Sequence, residues 1–358
     1  MSLIKVKGRG AENLGRRNMI INGAMQVAQR GTSSSNISSS GYYTVDRVDL
    51  AMSTTAGRFT QSQVTDAPDG FSHALKFDCT TADTSVAAGE NCIVLWQLEG
   101  QNVQQMAKGT SSAKQVTVSF YAKANAAKTY VCELKDFTNT RTVSKAFTVG
   151  TSYTRHEITF PADTTGAITS DNARQFAMNI WLHAGSTYTS GTLQTTWGTQ
   201  VSANRCPGID SFFSSTDNTF FITGVQMEVG SASTDFEHRS FGEELALCQR
   251  YYQEVRQGIM GMCGNTNGTC YWWYEFPVQM RASPSISCST TAYRYGDMIS
   301  IGVPMSSITV NASGYRSEKT GHWYVTGTKD SGSPVQYRIQ LLEPQSASHG
   351  NFQFSAEL

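Results

Sequence analysis

The sequence predicts an all-β protein in two parts. The first is a two-sheet sandwich or jelly roll, and the second is a smaller C-terminal β-sandwich. Three observations predict this. Short segments with period-two alternation follow one another along most of the chain. Turn residues separate them at close intervals: Asp69-Gly70, Ala88-Gly89, Gly109, Asn125, Asn139, Gly150, Thr165-Gly166, Gly185 and Gly191. Charged residues make up only 16% of the chain, against about 25% in ordinary globular domains. Ser, Thr, Asn, Gln and Gly fill the difference. The resulting surface of hydroxyls and amides suits extended β-proteins and surfaces that meet sugars.

In chain order, residues 1–17 are short and basic, with Lys5, Lys7, Arg9, Arg16 and Arg17. They form either a flexible tail or an arm that orders against a partner. A first strand is predicted at 18–25, closed by Asn22-Gly23, then a Ser-rich loop through Ser40 and a strand over 41–50. Further strands are predicted at 58–64, 74–78, 91–98, 115–122, 130–136, 143–149, 154–160, 175–183, 192–197 and 219–229. A brief helix at 93–101 or 102–107 is the alternative there.

The 219–229 strand alternates, with Phe221, Thr223, Val225, Met227 and Val229 on one side and Ile222, Gly224, Gln226 and Glu228 on the other. Gly230-Ser231-Ala232-Ser233 breaks it. A short helical run follows, with Glu243 and Glu244 early and Arg250 late, as the helix dipole prefers. This divides the chain into an N-terminal arm (1–17), a first domain (18–240), a connector (241–252) and a C-terminal domain (253–358). In the last part, 251–261 and 269–276 pair across Asn267-Gly268, a strong hairpin turn. Strands at 285–289, 297–303, 307–312, 323–328, 335–342 and 353–358 complete it.

Lys+Arg 28 balances Asp+Glu 28, so there is no electrostatic case for binding nucleic acid or an anionic membrane. No apolar run is long enough for membrane insertion, and residues 1–8 lack the apolar core of a signal peptide. The eight cysteines show neither a C-x-x-C pair nor zinc spacing, and are expected as free buried thiols. Cys263 and Cys270, which flank a turn, are the best disulfide candidates.

Enzyme motifs are missing: no H-E-x-x-H, P-loop, G-x-S-x-G or dinucleotide fingerprint is present. Ser111-x-x-Lys114 is a chance spacing in a Ser-rich chain. His183, at the end of an apolar strand, reads as a hydrogen-bonded core histidine. No metal site or cofactor is called. Asp210 and Asp217 lie in a Ser/Asn-rich loop able to offer oxygens to a structural calcium, but no D-x-[DN]-x-[DN]-G run supports one.

Aromatics carry the binding signal, because sugar rings pack their C–H faces on Trp and Tyr. The glycan-binding candidates are Tyr188, Trp197, Trp272, Trp273, Tyr293 and Trp323. In Tyr271-Trp272-Trp273-Tyr274, alternation sends one pair into the core. The other pair is exposed or lies in a subunit interface.

Asn18-Met19-Ile20-Ile21-Asn22-Gly23-Ala24-Met25-Gln26-Val27-Ala28-Gln29-Arg30-Gly31, followed by Tyr43-Thr44-Val45-Asp46-Arg47, resembles the opening of tailed-bacteriophage fibre proteins. That group is itself similar to carbohydrate-binding jelly rolls. The later marks are Trp181 to Ser186, Ile222-Thr223-Gly224-Val225-Gln226-Met227-Glu228, Thr234-Asp235-Phe236-Glu237-His238-Arg239 and Cys248-Gln249-Arg250-Tyr251-Tyr252.

The resemblance implies a jelly-roll β-sandwich in a virion tail fibre or short appendage, homotrimeric and made in the host cytoplasm. It would attach the phage to a host surface polysaccharide without catalysis. Residues 1–17 would dock on other tail or head proteins through Lys5, Lys7 and Arg9. Asp46 and Arg47 would pair, and Phe236 would plug the sandwich. The alternatives are a purely structural virion connector or decoration protein, and a glycan depolymerase or deacetylase.

Overall fold

Alternation along the strands builds two facing antiparallel sheets. The computed structural model describes residues 16–255, 259–263, 269–288, 293–297, 300–311, 318–329, 339–344 and 352–358. Beyond 255, side chains are described only at 260–262, 274–287, 318–319 and 352–358. Lys5, Lys7 and Arg9 lie outside the described residues. The chain divides into one unit through Glu244, joined by Leu358, and a second unit over Leu245–Glu357.

The first unit is a jelly-roll β-sandwich. Its strands are β1 (Ser33–Ile37), β2 (Gly41–Tyr42), β3 (Asp49–Ser53), β4 (Arg58–Val64), β5 (Ala74–Thr81), β6 (Asn91–Glu99), β7 (Val116–Ala124), β8 (Lys128–Asp136), β9 (Arg141–Val149), β10 (Thr154–Phe160), β11 (Arg174–Ala184), β12 (Gly198–Thr199) and β13 (Thr219–Val229). One sheet runs β1-β4-β5-β13-β7-β10, and the other runs β12-β9-β8-β11-β6-β3-β2. Phe176, Met178, Ile180 and Leu182 of β11 face Phe59, Phe77, Phe120 and Phe220 of the opposing sheet in one core. A turn of helix, α1 (Ser186–Thr189), begins a loop that continues to β13. The residues at 100–106 form two 3-10 turns after β6 rather than an α-helix.

Several strand expectations change. Residues 18–25 are irregular, because Asn22 (φ 60°) and Met25 (φ 56°) adopt left-handed backbone that interrupts a ladder. The Ser-rich loop contains β1. Residues 41–50 form two short strands interrupted near Arg47 (φ 67°). Residues 192–197 are not a strand.

Strand β13 also departs from simple alternation. Phe220, Ile222, Val225 and Met227 all face the core, so the phase flips between Ile222 and Val225. Opposite β7, the pairs Thr223↔Tyr121 and Gln226↔Ser119 leave one extra residue in β13. That is a β-bulge, and Gly224 at φ +62° supplies the conformation it needs.

The bulge turns Gln226 and Glu228 outward, where they hold the following loop. Glu228 Oε1 accepts from the Thr234 amide at 2.7 Å, and Gln226 Oε1 from the Glu237 amide at 2.8 Å. Asn18 Oδ1 accepts from the Met227 amide at 3.1 Å, and Met227 O from the Met19 amide at 2.9 Å. Arg239 donates to the carbonyls of Ile20 (3.1 Å) and Asn18 (2.5 Å), and pairs with Glu244 at 3.3 Å. Phe236 does not plug the sandwich. It lies half-buried against Phe71 (5.0 Å), which itself packs on Tyr121 outside the core.

Helix α2 (Phe241–Gln249) contains the boundary between the units. Ser240-x-x-Glu243 forms a capping box: Ser240 Oγ accepts from the Glu243 amide at 3.3 Å, and Glu243 Oε2 from the Ser240 amide at 2.9 Å.

The second unit is also all-β. Its strands are β14 (Tyr252–Val255), β15 (Ile259–Cys263), β16 (Thr269–Glu275), β17 (Ser285–Cys288), β18 (Tyr293–Asp297), β19 (Ser300–Asn311), β20 (Thr320–Lys329), β21 (Ile339–Pro344) and β22 (Phe352–Ser355). Six of them close into a ring, β15-β16-β20-β19-β18-β21, while β14-β22-β17 form a separate sheet. Pairing of β15 with β21 leaves the ring without the free edges of an open sheet.

Replacing Gly224 by Ala would place a Cβ 2.7 Å from the Phe71 ring, on strained backbone. The first unit should lose about 1–3 kcal/mol, read as a lower urea midpoint. Gly70→Ala, at φ +88° with nothing within 4 Å, should cost less. Equal costs would remove the steric part of the argument.

Candidate functional site

The structure separates the two aromatics proposed for the first unit. Tyr188 packs on Trp181 (centroids 5.2 Å) over a small cluster of Ile93, Leu95, Val131 and Cys206. Trp197 packs against the main core instead, at 6.1 Å from Phe176. Its indole N–H donates to the Pro161 carbonyl at 2.9 Å, and Lys108 Nζ sits 5.4 Å from its ring centre. Both rings are partly buried, each with one side packed on a cluster. Trp272, Trp273, Tyr293 and Trp323 lie on β16, β18 and β20, with Trp272 opposite Trp323 and Trp273 opposite His322. Their side chains lie outside the described residues.

Cys79, Cys92, Cys132, Cys206 and Cys248 are free and buried. Burial pushes the Cys79 thiol up to about 11 and raises those of Cys92, Cys132 and Cys206 further. Cys263 faces Cys270 in the β15–β16 register, but their side chains are outside the described set. Asp210 and Asp217 have local roles: Asp210 Oδ2 accepts from the Thr129 amide at 2.6 Å, and Asp217 Oδ2 from Ser215 Oγ at 3.3 Å.

A different surface has the makings of a site. The outward face of the seven-stranded sheet carries charged and amide side chains in phase along three adjacent strands. Register places Gln97 and Lys135 on either side of Ala177, and Leu95 and Glu133 on either side of Asn179. Part of this face is roofed by the loop after β11, whose Tyr188 and Cys206 pack on Ile93, Leu95, Val131 and Trp181.

Glu133 anchors that roof. Arg205 Nε and Nη2 donate to its two oxygens, each at 2.7 Å, and the guanidinium lies 4.5 Å from the Trp181 ring centre. Asn179 Nδ2 (2.7 Å) and Trp181 Nε1 (3.2 Å) also donate to Glu133. This bidentate, multiply bonded geometry is what a buried ion pair requires. Burial opposes the charge on Arg205, but Glu133 outweighs it and raises the guanidinium's pKa.

Beyond the roof, Lys135 and Arg174 converge on Phe137, at 4.6 and 4.3 Å from its ring centre. Arg174 Nη1 donates to Gln97 Oε1 at 3.1 Å, and Gln97 in turn donates to Asp49. Among the described residues, neither cation has a carboxylate within ion-pair distance, and Lys135 Nζ has no hydrogen-bond acceptor. Burial, followed by repulsion from Arg205, lowers the Lys135 pKa. Beside it, Asn179 Oδ1 is buried and makes no hydrogen bond. A patch of two under-compensated cations beside a carboxylate can take an anionic, hydroxyl-rich ligand. The aromatic search missed it. Its sequence trace is the pair Glu133 and Lys135, charged at period two after the apolar run Tyr130-Val131-Cys132 of β8.

One further group has metal-ligand chemistry. Asp83, Glu90 and His183 bring their donor atoms within 4.8 Å of one another, and all three are buried. His183 is a hydrogen-bonded interior histidine, as expected, with Nδ1 2.8 Å from Ser211 Oγ and Nε2 3.1 Å from Glu90 Oε2.

Comparison with protein-family models and with curated proteins returns no match. Among solved structures, the chain is similar to a putative sugar binding protein from Bacteroides thetaiotaomicron, at 10% identity and a TM-score of 0.32, over 60% of this chain and 100% of that one. It is also similar to a family 11 carbohydrate-binding module from Clostridium thermocellum, at 12% identity and 0.28, over 57% and 99%. A third similarity is to the enzymatically active domain of bacteriophage CBA120 tailspike protein 4, at 10% identity and 0.31. There it covers 60% of this chain but only 21% of that one. TM-scores this low carry no argument about what the chain binds.

Arg205→Ala should strand Glu133 and cost about 3–5 kcal/mol, with faster hydrogen exchange over residues 185–211. Removing both charges by Glu133→Gln with Arg205→Met should recover part of the loss. Unchanged exchange in Arg205→Ala would show that the pair does not anchor the roof.

Proposed function

We propose that this chain is a non-catalytic phage appendage that attaches the particle to an acidic host-surface glycan through the outward face of the seven-stranded sheet. The observation that carries the reading is the convergence of Lys135 and Arg174 on Phe137, with no carboxylate partner for either among the described residues. A sugar carboxylate or sulfate would supply the missing anion. Asp49, partly exposed beside the two cations, would accept from a ring hydroxyl. The resemblance of the Asn18-Met19-Ile20 opening and the Thr234–Arg239 seam to tailed-phage fibre proteins gives the biological setting.

Single-site contacts of this kind are weak. A homotrimer, repeated over several appendages, would raise the effective affinity without new contacts. The arm at 1–17 would join the appendage to a tail or head protein.

The test is binding of the full chain to immobilised acidic and neutral bacterial polysaccharides, alongside Lys135→Ala/Arg174→Ala. The acidic polymer should bind and the neutral one should not. The double variant should lose roughly 10–100-fold in affinity, and light scattering should give a trimer. Equal binding by the double variant would overturn the assigned face. Release of reducing ends or acetate would overturn the non-catalytic reading.

A further inference from the structure

We propose that Asp83, Glu90 and His183 bind one divalent transition-metal ion. Asp83 and Glu90 would supply carboxylate oxygens and His183 Nε2 the nitrogen. The three residues are 5%, 4% and 0% exposed. They arrive from the loop after β5, the residue before β6 and the end of β11, so the cluster is made by the fold.

The charge balance points to a cation. Asp83 and Glu90 bring carboxylate oxygens within 4.8 Å of each other, and among the described residues no Lys or Arg pairs with either. Two ionised carboxylates cannot share a buried position without a cation or a proton between them. The donors around them favour the ionised state. Asp83 accepts from Thr55 Oγ1 (2.7 Å), the Ala56 amide (2.7 Å) and the Ser85 amide (3.2 Å). Glu90 Oε1 accepts from the Ala87 amide at 2.9 Å.

The geometry fits an ion as well. The 3.1 Å between His183 Nε2 and Glu90 Oε2 is close to the edge of a tetrahedron whose ligands stand about 2.0–2.1 Å from its centre. Ser211 Oγ already accepts from the Phe213 amide at 3.1 Å and is free to accept from His183 Nδ1–H at 2.8 Å. That leaves Nε2 with a lone pair, the arrangement typical of a ligating histidine. The surrounding backbone is locked: the Gly185 amide donates to Glu90 O at 2.8 Å, and a Cβ at 185 would meet Ala87 O at 2.0 Å. An imidazole in the set favours zinc or another late first-row ion over calcium, magnesium and manganese, which suit oxygen ligands. The ion would fasten the loop after β5 to the strand from which the roof departs.

The full chain is stripped with EDTA, titrated with ZnCl2, CoCl2 or CaCl2, and passed through a desalting column. Zinc and cobalt should be retained at about one ion per chain. Either should raise Tm by roughly 5–10 °C at about a hundredfold excess over Kd. Cobalt should give visible d–d absorption, lost in His183→Gln and in Glu90→Gln. If wild-type protein retains no zinc or cobalt and its Tm is indifferent to EDTA and metal, a proton joins the carboxylates and the proposal is wrong. Equal stabilisation by calcium, kept in His183→Gln, would also overturn it. The wild-type titration decides even where a variant does not fold.

Discussion

The first unit depends on a clasp between its two ends. Residues 17–22 run beside the last strand and the loop after it, without forming a strand of their own. Arg239 reaches the carbonyls of Asn18 and Ile20, and Glu237 accepts from the amides of Arg17 (3.3 Å) and Asn18 (2.6 Å). Glu244 takes the Asn22 amide at 2.5 Å. Irregular backbone at a sheet edge needs partners for each polar group, and here charged side chains from 237–244 provide them. The residues that resemble phage fibre proteins at the two ends of the unit are therefore largely each other's partners. Their role is to close the sandwich.

The seven-stranded sheet divides its outer face by chemistry. On one side, Glu133 collects four donated hydrogen bonds from Arg205, Asn179 and Trp181, which buries charge by satisfying it. On the other, Lys135 and Arg174 rest on Phe137 with no carboxylate partner among the described residues. Two residues apart on β8, Glu133 and Lys135 thus serve opposite ends, one structural and the other open to a ligand. Neighbouring positions on one strand differ because the 185–211 loop covers only the first.

Local alternation made much of the fold legible. Arg58–Val64, Thr154–Phe160 and Thr219–Val229 are strands over the same spans that the pattern indicated. It failed where backbone left the extended region, as at Asn22 and Met25. It also failed in the phase of β13, because a glycine in an alternating run does not announce a bulge. Ring closure in the second unit depends on pairing between β15 and β21, which are distant in sequence and leave no local mark. The site was less legible for the same reason. Lys135 and Arg174 meet only through the β8–β11 register. Tyr188 and Trp197 stood out as loop aromatics, and each is partly buried against a different cluster.

The interior thiols set a condition on lifetime. Cys92, Cys132 and Cys206 show no solvent exposure, and burial keeps their sulfurs protonated. Oxidants attack thiolates that they can reach, so damage at these positions must wait for the sandwich to open. Outside a reducing cell, the ageing of this unit is then governed by its unfolding rate rather than by the oxidant around it. A protein without a disulfide among its described cysteines can persist in an oxidising medium by being slow to open.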